Sequence, residues 1–126
     1  MEFSDVNWLA VIVGAVASFL LGWLIYSPIL FGKKWAEGSG VELNTADNMP
    51  AFAMATQFLA LLALSLVIGI TATADALFTA ILAILAAGLF VASNGKFCRK
   101  TTYAIAVDFG YIVAAGIVMI IVQGIF

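Results

Sequence analysis

Any chemistry in this chain would turn on Asp108, because among its acids and bases it alone falls well inside a long apolar stretch. It lies eight residues beyond Lys100, the end of a basic turn, or roughly 12 Å along a helix rising 1.5 Å per residue. That depth is past easy snorkelling, and an ionised carboxylate at the centre of a bilayer costs on the order of 3 kcal/mol. The side chain must therefore face other helices or a wet crevice, or carry a proton. Thr101, Ala104, Tyr111 and Ala115 share its helix face at spacings of three, four and seven, so Tyr111 is expected to hydrogen-bond it directly. From other segments, Tyr26, Ser27, Asn94 and Lys96 are expected partners near the basic turns, and Gln57 is expected at comparable depth. A carboxyl held this way is a structural device. Left reachable, the same carboxyl with Tyr111, Gln57 and Tyr26 is a proton or cation site, the recurring use of an intramembrane acid.

The rest of the acid/base inventory is thin. Histidine is absent, which removes the commonest general base and the commonest transition-metal ligand. Cys98 is the one cysteine, so an intrachain disulfide is excluded and a thiolate zinc site has no partners. No role is assigned to Cys98. No catalytic residue, metal or cofactor is expected, and an enzyme is the least supported reading. The net charge of −2 and the lack of a basic domain argue against nucleic acid as a partner.

The elements that must position Asp108 are membrane spans. Of 126 residues 65% are hydrophobic and 10% charged, with a mean hydropathy of +1.19, too apolar for a water-soluble domain of this length. About 20 helical residues cross a bilayer core. Four such lengths fit, at about 6–30, 50–70, 76–92 and 101–126, with a polar connector over 31–49. Ser4 or Asp5 caps the first span, with Asn7 completing its first turn, and Pro28 bends or ends it. Asn48-Met49-Pro50 starts the second span and Asp75 caps the third. Ser93-Asn94-Gly95 stops the third, and Gln123 satisfies the far end of the fourth. Acidic Glu2 and Asp5 stand where a secretory signal would carry basic residues, so the first span is expected to be retained.

Four crossings put Lys33, Lys34, Lys96, Arg99 and Lys100 on one side and no basic residue on the other, which assigns both termini to the outside. The expected fold is an all-α polytopic bundle of four transmembrane helices. Trp23, Tyr26, Phe31, Trp35, Phe97 and Tyr103 then mark the cytoplasmic interface, and Phe3, Trp8, Phe78 and Phe126 the outer one. Lys33, Lys34 and Trp35, with Lys96, Arg99 and Lys100, are candidate contacts for lipid headgroups or a partner, although topology alone would account for them.

Ala10, Gly14, Ser18 and Gly22 recur every four residues on the first span, and Ala106, Gly110 and Ala114 repeat the pattern on the fourth. Small-xxx-small faces let helix backbones approach closely in lipid. These two faces either join the first and fourth helices inside one bundle or make a homo-oligomer.

The stretch Asn7-Trp8, then Gly22-Trp23-x-x-Tyr26-Ser27-Pro28-x-x-Phe31-Gly32-Lys33-x-Trp35, resembles the opening signature of the bacterial family called domain of unknown function 1761. Asp108-x-Gly110-Tyr111 is a looser echo of the same family. The resemblance implies a four-span layout and a bacterial inner membrane. Members of that family often carry an asparagine where this chain has Asp108, which implies a hydrogen-bonding rather than an obligatorily ionised role. It implies no activity. The expected function is a non-enzymatic membrane protein that associates with lipids and with other helices, as a homo-oligomer or as an accessory subunit of a larger complex. The alternative is a small proton- or cation-coupled transporter or channel whose pathway passes Asp108.

Overall fold

The structure, a computed structural model, describes residues 5–27, 29–40 and 51–126. The described residues form five helices: α1 (Trp8–Ile25), α2 (Gly32–Ser39), α3 (Ala51–Thr73), α4 (Leu77–Phe97) and α5 (Thr102–Ile125). All but α2 are long and apolar enough to cross a membrane. Their outer surfaces carry Leu20, Leu59, Leu89, Phe90 and Ile121 in the open, as expected of helices solvated by lipid and not by water. The fold is an all-α, multi-pass membrane bundle. α1 packs against both α3 and α5, and α4 packs against α5 and, less extensively, against α3. Leu61, Ile68, Ala80, Ile84, Tyr111, Ala115 and Met119 form the core.

The small face of α1 does what its spacing predicts. Ala10, Gly14, Ser18 and Gly22 are all buried. A methyl on Gly14 would come within 2.9 Å of the Ser65 hydroxyl on α3, and one on Gly22 within 2.9 Å of the Tyr111 hydroxyl on α5. Backbones brought this close are pinned by side-chain hydroxyls. Ser65 Oγ donates to the Val11 carbonyl at 2.8 Å, Tyr111 Oη to the Ser18 carbonyl at 2.8 Å, and Ser18 Oγ to the Ala115 carbonyl at 3.2 Å.

The corresponding face of α5 does not join helices inside this bundle. Ala106 and Gly110 are exposed, Ala114 is half-buried, and a methyl on Gly110 would meet nothing within 4 Å. α5 instead turns Ala104, Asp108, Tyr111, Ala115 and Met119 inward. The helix carries two tracks of small residues on different faces, and the one that shares a face with Asp108 goes inward because a buried carboxylate needs partners.

The connector between the first and second spans is not simply loop, since it holds α2. α1 ends at Ile25, short of the expected Leu30, and the chain turns at Tyr26 and Ser27 and again over 29–31 before α2. A methyl on Gly32 would collide with the Tyr26 carbonyl, so this turn is too tight for any other residue. Asn7 caps α1 by accepting from Ala10 N at 3.1 Å, and Thr101 caps α5 by accepting from Ala104 N at 3.2 Å. The readings placed on Ser4, Pro28 and Asn48-Met49-Pro50 lie outside the described residues.

Two helix ends differ from expectation. α4 runs through Ser93-Asn94-Gly95 to Phe97, because Gly95 serves a close approach to Ile105 of α5 and does not stop the helix. Asp75 does not cap α4. It takes a left-handed backbone (φ 51°) that closes α3, with Ala76 N donating back to the Thr71 carbonyl, and Ala76 at the start of α4 has no side-chain cap.

Candidate functional site

Asp108 is 5% exposed and surrounded by donors. Its Oδ1 accepts from Tyr26 Oη at 2.6 Å and from Trp35 Nε1 at 2.8 Å, and its Oδ2 accepts from Lys100 Nζ at 2.7 Å. Each donor comes from a different segment. Tyr26 stands at the exit of α1, Trp35 on α2, and Lys100 just before the cap of α5. Three charge-assisted or hydroxyl donors replace the water that a carboxylate loses on burial.

The aromatic rings form a wall around this pair. Tyr26 meets Trp35 edge-on at 4.8 Å between centroids and Tyr111 at 5.6 Å, and the Lys100 ammonium lies 5.3 Å from the centre of the Trp35 ring. α2 is thereby fastened to the bundle. A backbone hydrogen bond from Thr101 N to the Gly38 carbonyl at 3.0 Å fastens its other end. Tyr26 follows the last residue of α1. Its hydroxyl is pushed well above the ordinary tyrosine range, first by burial, then by the hydrogen bond to Asp108 and that carboxylate's charge. It therefore stays a donor.

The expected partners separate cleanly. Tyr26 binds Asp108 as anticipated. Tyr111 does not: its hydroxyl donates to the Ser18 carbonyl instead, and Gln57 is half-buried on α3. Ser27 Oγ donates to the Leu24 carbonyl, while Asn94 and Lys96 are exposed. Lys100 and Trp35 were missed as partners. Counting 1.5 Å per residue from Lys100 placed Asp108 out of reach, but a lysine side chain folded back along the first turns of α5 spans that distance. Trp35 looked like an interfacial anchor, and only the folding back of α2 turns its ring nitrogen inward. The readable signal was that an indole always carries one donor to be satisfied.

At the opposite end a cleft of about 280 Å³ opens between α3, α4 and α5, lined by Thr71, Asp75, Gln123 and Gly124 among others. The Gln123 amide does not complete the end of α5. Its Nε2 is buried and finds no partner among the described residues. Asp75 is exposed. Among the described residues, no group of three or more acids or cysteines converges as a metal site would require.

A family model described as "Protein of unknown function (DUF1761)" matches residues 9–124. No curated protein and no solved structure matches the chain.

Proposed function

This chain belongs to the DUF1761 family, and from that premise we propose that it is a non-catalytic membrane protein that works by association, as a homo-oligomer or as an accessory subunit of a larger complex in a bacterial inner membrane. The single observation that supports this reading is the state of Asp108. Both of its oxygens are engaged by donors of its own chain, so the residue best suited to bind a transported cation already holds an internal one. What remains for interaction is surface. α4 is the least enclosed of the spans, and Ala106 and Gly110 give the outer face of α5 the small residues that favour close helix contact.

The test is native mass spectrometry of the protein taken gently from its own membrane. A defined homo-oligomer or hetero-complex is expected. A monomer with no co-purifying protein would sink the association reading. Proton flux into liposomes is expected to be the same for wild type and Asp108→Asn, and a flux that vanished in the variant would favour transport past Asp108 instead.

A further inference from the structure

The five cations at the basic end are not equivalent. Lys100 is paired with Asp108, and the Lys34 ammonium sits 4.8 Å from the centre of the Tyr103 ring. Lys33, Lys96 and Arg99 are exposed, and among the described residues none of them has a carboxylate within 4 Å. Beside them in the chain stand apolar side chains in the open, Ile29 and Phe97 at about 85% exposure and Leu30 and Phe31 at nearly half. Cations set among exposed apolar and aromatic side chains, at the ends of membrane spans, have the composition of a surface that meets phospholipid headgroups. The same feature would repel a basic partner and expose too much apolar area to plain water.

Arg99 is the informative member. Its backbone is left-handed (φ 61°) at the position that closes α4, where Lys100 N donates to the Gly95 carbonyl and Arg99 N to the Lys96 carbonyl. Glycine makes this closure without strain, and a side chain there is disfavoured. The turn therefore has no need of arginine, and the exposed guanidinium stands three residues from Lys96 in the same turn. A planar fork of donors is the best protein match to a phosphate diester. The turn is continuous with α2, because Lys100 and Trp35 meet over Asp108 and Lys34 over Tyr103.

We propose that Lys33, Lys96 and Arg99 form a rim that binds the phosphate headgroups of anionic phospholipids in the leaflet this end faces, with α2 fastened through Asp108 as one wall of it. The proposal is independent of the association reading, and a monomeric protein would leave it intact. The test titrates the purified 126-residue chain in neutral detergent with phosphatidylglycerol, and separately with phosphatidylcholine and with inorganic phosphate, counting bound lipid by native mass spectrometry. Phosphatidylglycerol is expected to bind preferentially and to weaken as salt rises. Arg99→Gly should weaken it roughly fivefold while the lipid-free protein unfolds at or above the wild-type temperature. The triple variant Lys33→Gln, Lys96→Gln, Arg99→Gly should lose the preference. Equal binding of the two lipids, or an Arg99→Gly protein with wild-type preference, would overturn the proposal. Competition by inorganic phosphate as strong as that by the lipid would overturn the assignment to lipid.

Discussion

Asp108 and Asp75 are the same side chain at opposite ends of one bundle, and they do opposite things. Asp108 is buried, lies on a helix and accepts three hydrogen bonds from three separate segments. Asp75 is exposed, sits in a left-handed turn and makes no ion pair among the described residues. One joins α1, α2 and α5, while the other closes a hairpin by its backbone alone. The difference teaches that in a chain with so few charges the role of a carboxylate is set by what the fold brings to it. A donor within 3 Å makes a buried charge tolerable, whereas a turn position tolerates the side chain only because water can reach it.

The comparison is broken most decisively at Asp108. Asp108→Ala leaves the Lys100 ammonium, the Tyr26 hydroxyl and the Trp35 indole without their acceptor, and it should lower stability by about 3 kcal/mol, read as thermal unfolding in detergent. Asp75→Ala should shift the same transition by no more than about 0.5 kcal/mol. Equal losses would mean that Asp108 does not pin the bundle. Asp108→Asn keeps an oxygen that can accept from Tyr26 and Trp35 but turns an NH2 group toward Lys100 in place of the charge pair, so a smaller loss of about 1–2 kcal/mol is expected.

A second prediction separates the pin from the packing above it. Tyr111→Phe removes the hydrogen bond to the Ser18 carbonyl without touching Asp108, at a cost of about 0.6–1.7 kcal/mol. Its effect should add to that of Asp108→Asn in a double-mutant cycle. A large coupling energy would show that Tyr111 acts through Asp108 after all.

Alkaline pH sharpens the contrast. The Tyr26 hydroxyl has its pKa raised in the fold above the ordinary 10.0, so its stabilising contribution is fully present below about pH 10. Above that value the unfolded chain sheds this proton while the folded chain holds it, and stability falls as pH rises. Wild type should therefore lose more stability between pH 9 and 11 than Tyr26→Phe, with unfolding followed by circular dichroism. Identical slopes would remove Tyr26 from the pH response.

A small effect of opposite sign belongs to the other end. Asp75→Gly relieves the left-handed strain and should raise stability by about 0.5–1 kcal/mol. A loss instead would mean that the carboxylate has a partner at the cleft beside Gln123.

How much of this was legible follows from particular residues. The four spans could be read because a bilayer demands about 20 apolar residues of any helix that crosses it. The α1 face Ala10, Gly14, Ser18 and Gly22 could be read because close backbone approach excludes larger side chains at a helical period. Of the candidate site, Asp108 and Tyr26 were readable, since a carboxylate in an apolar stretch must find donors and a tyrosine near a span end can supply one. Ser65 could not be found by spacing, as a lone serine in a span looks like any other small residue.

The sequence by itself thus determined the solvent, the number of crossings and the residue that most needed a partner, all consequences of the cost of placing charge and unpaired backbone in lipid. Only the tertiary structure decided which partners came. α2 folds back to bring the Trp35 indole, and Lys100 turns inward along α5. α5 rotates to bury Asp108 and leaves Ala106 and Gly110 outside. These outcomes depend on how rigid helices pack once their backbones touch. That geometry joins Asp108 to Tyr26 and Trp35, 82 and 73 positions away in the chain, separations that no local periodicity encodes.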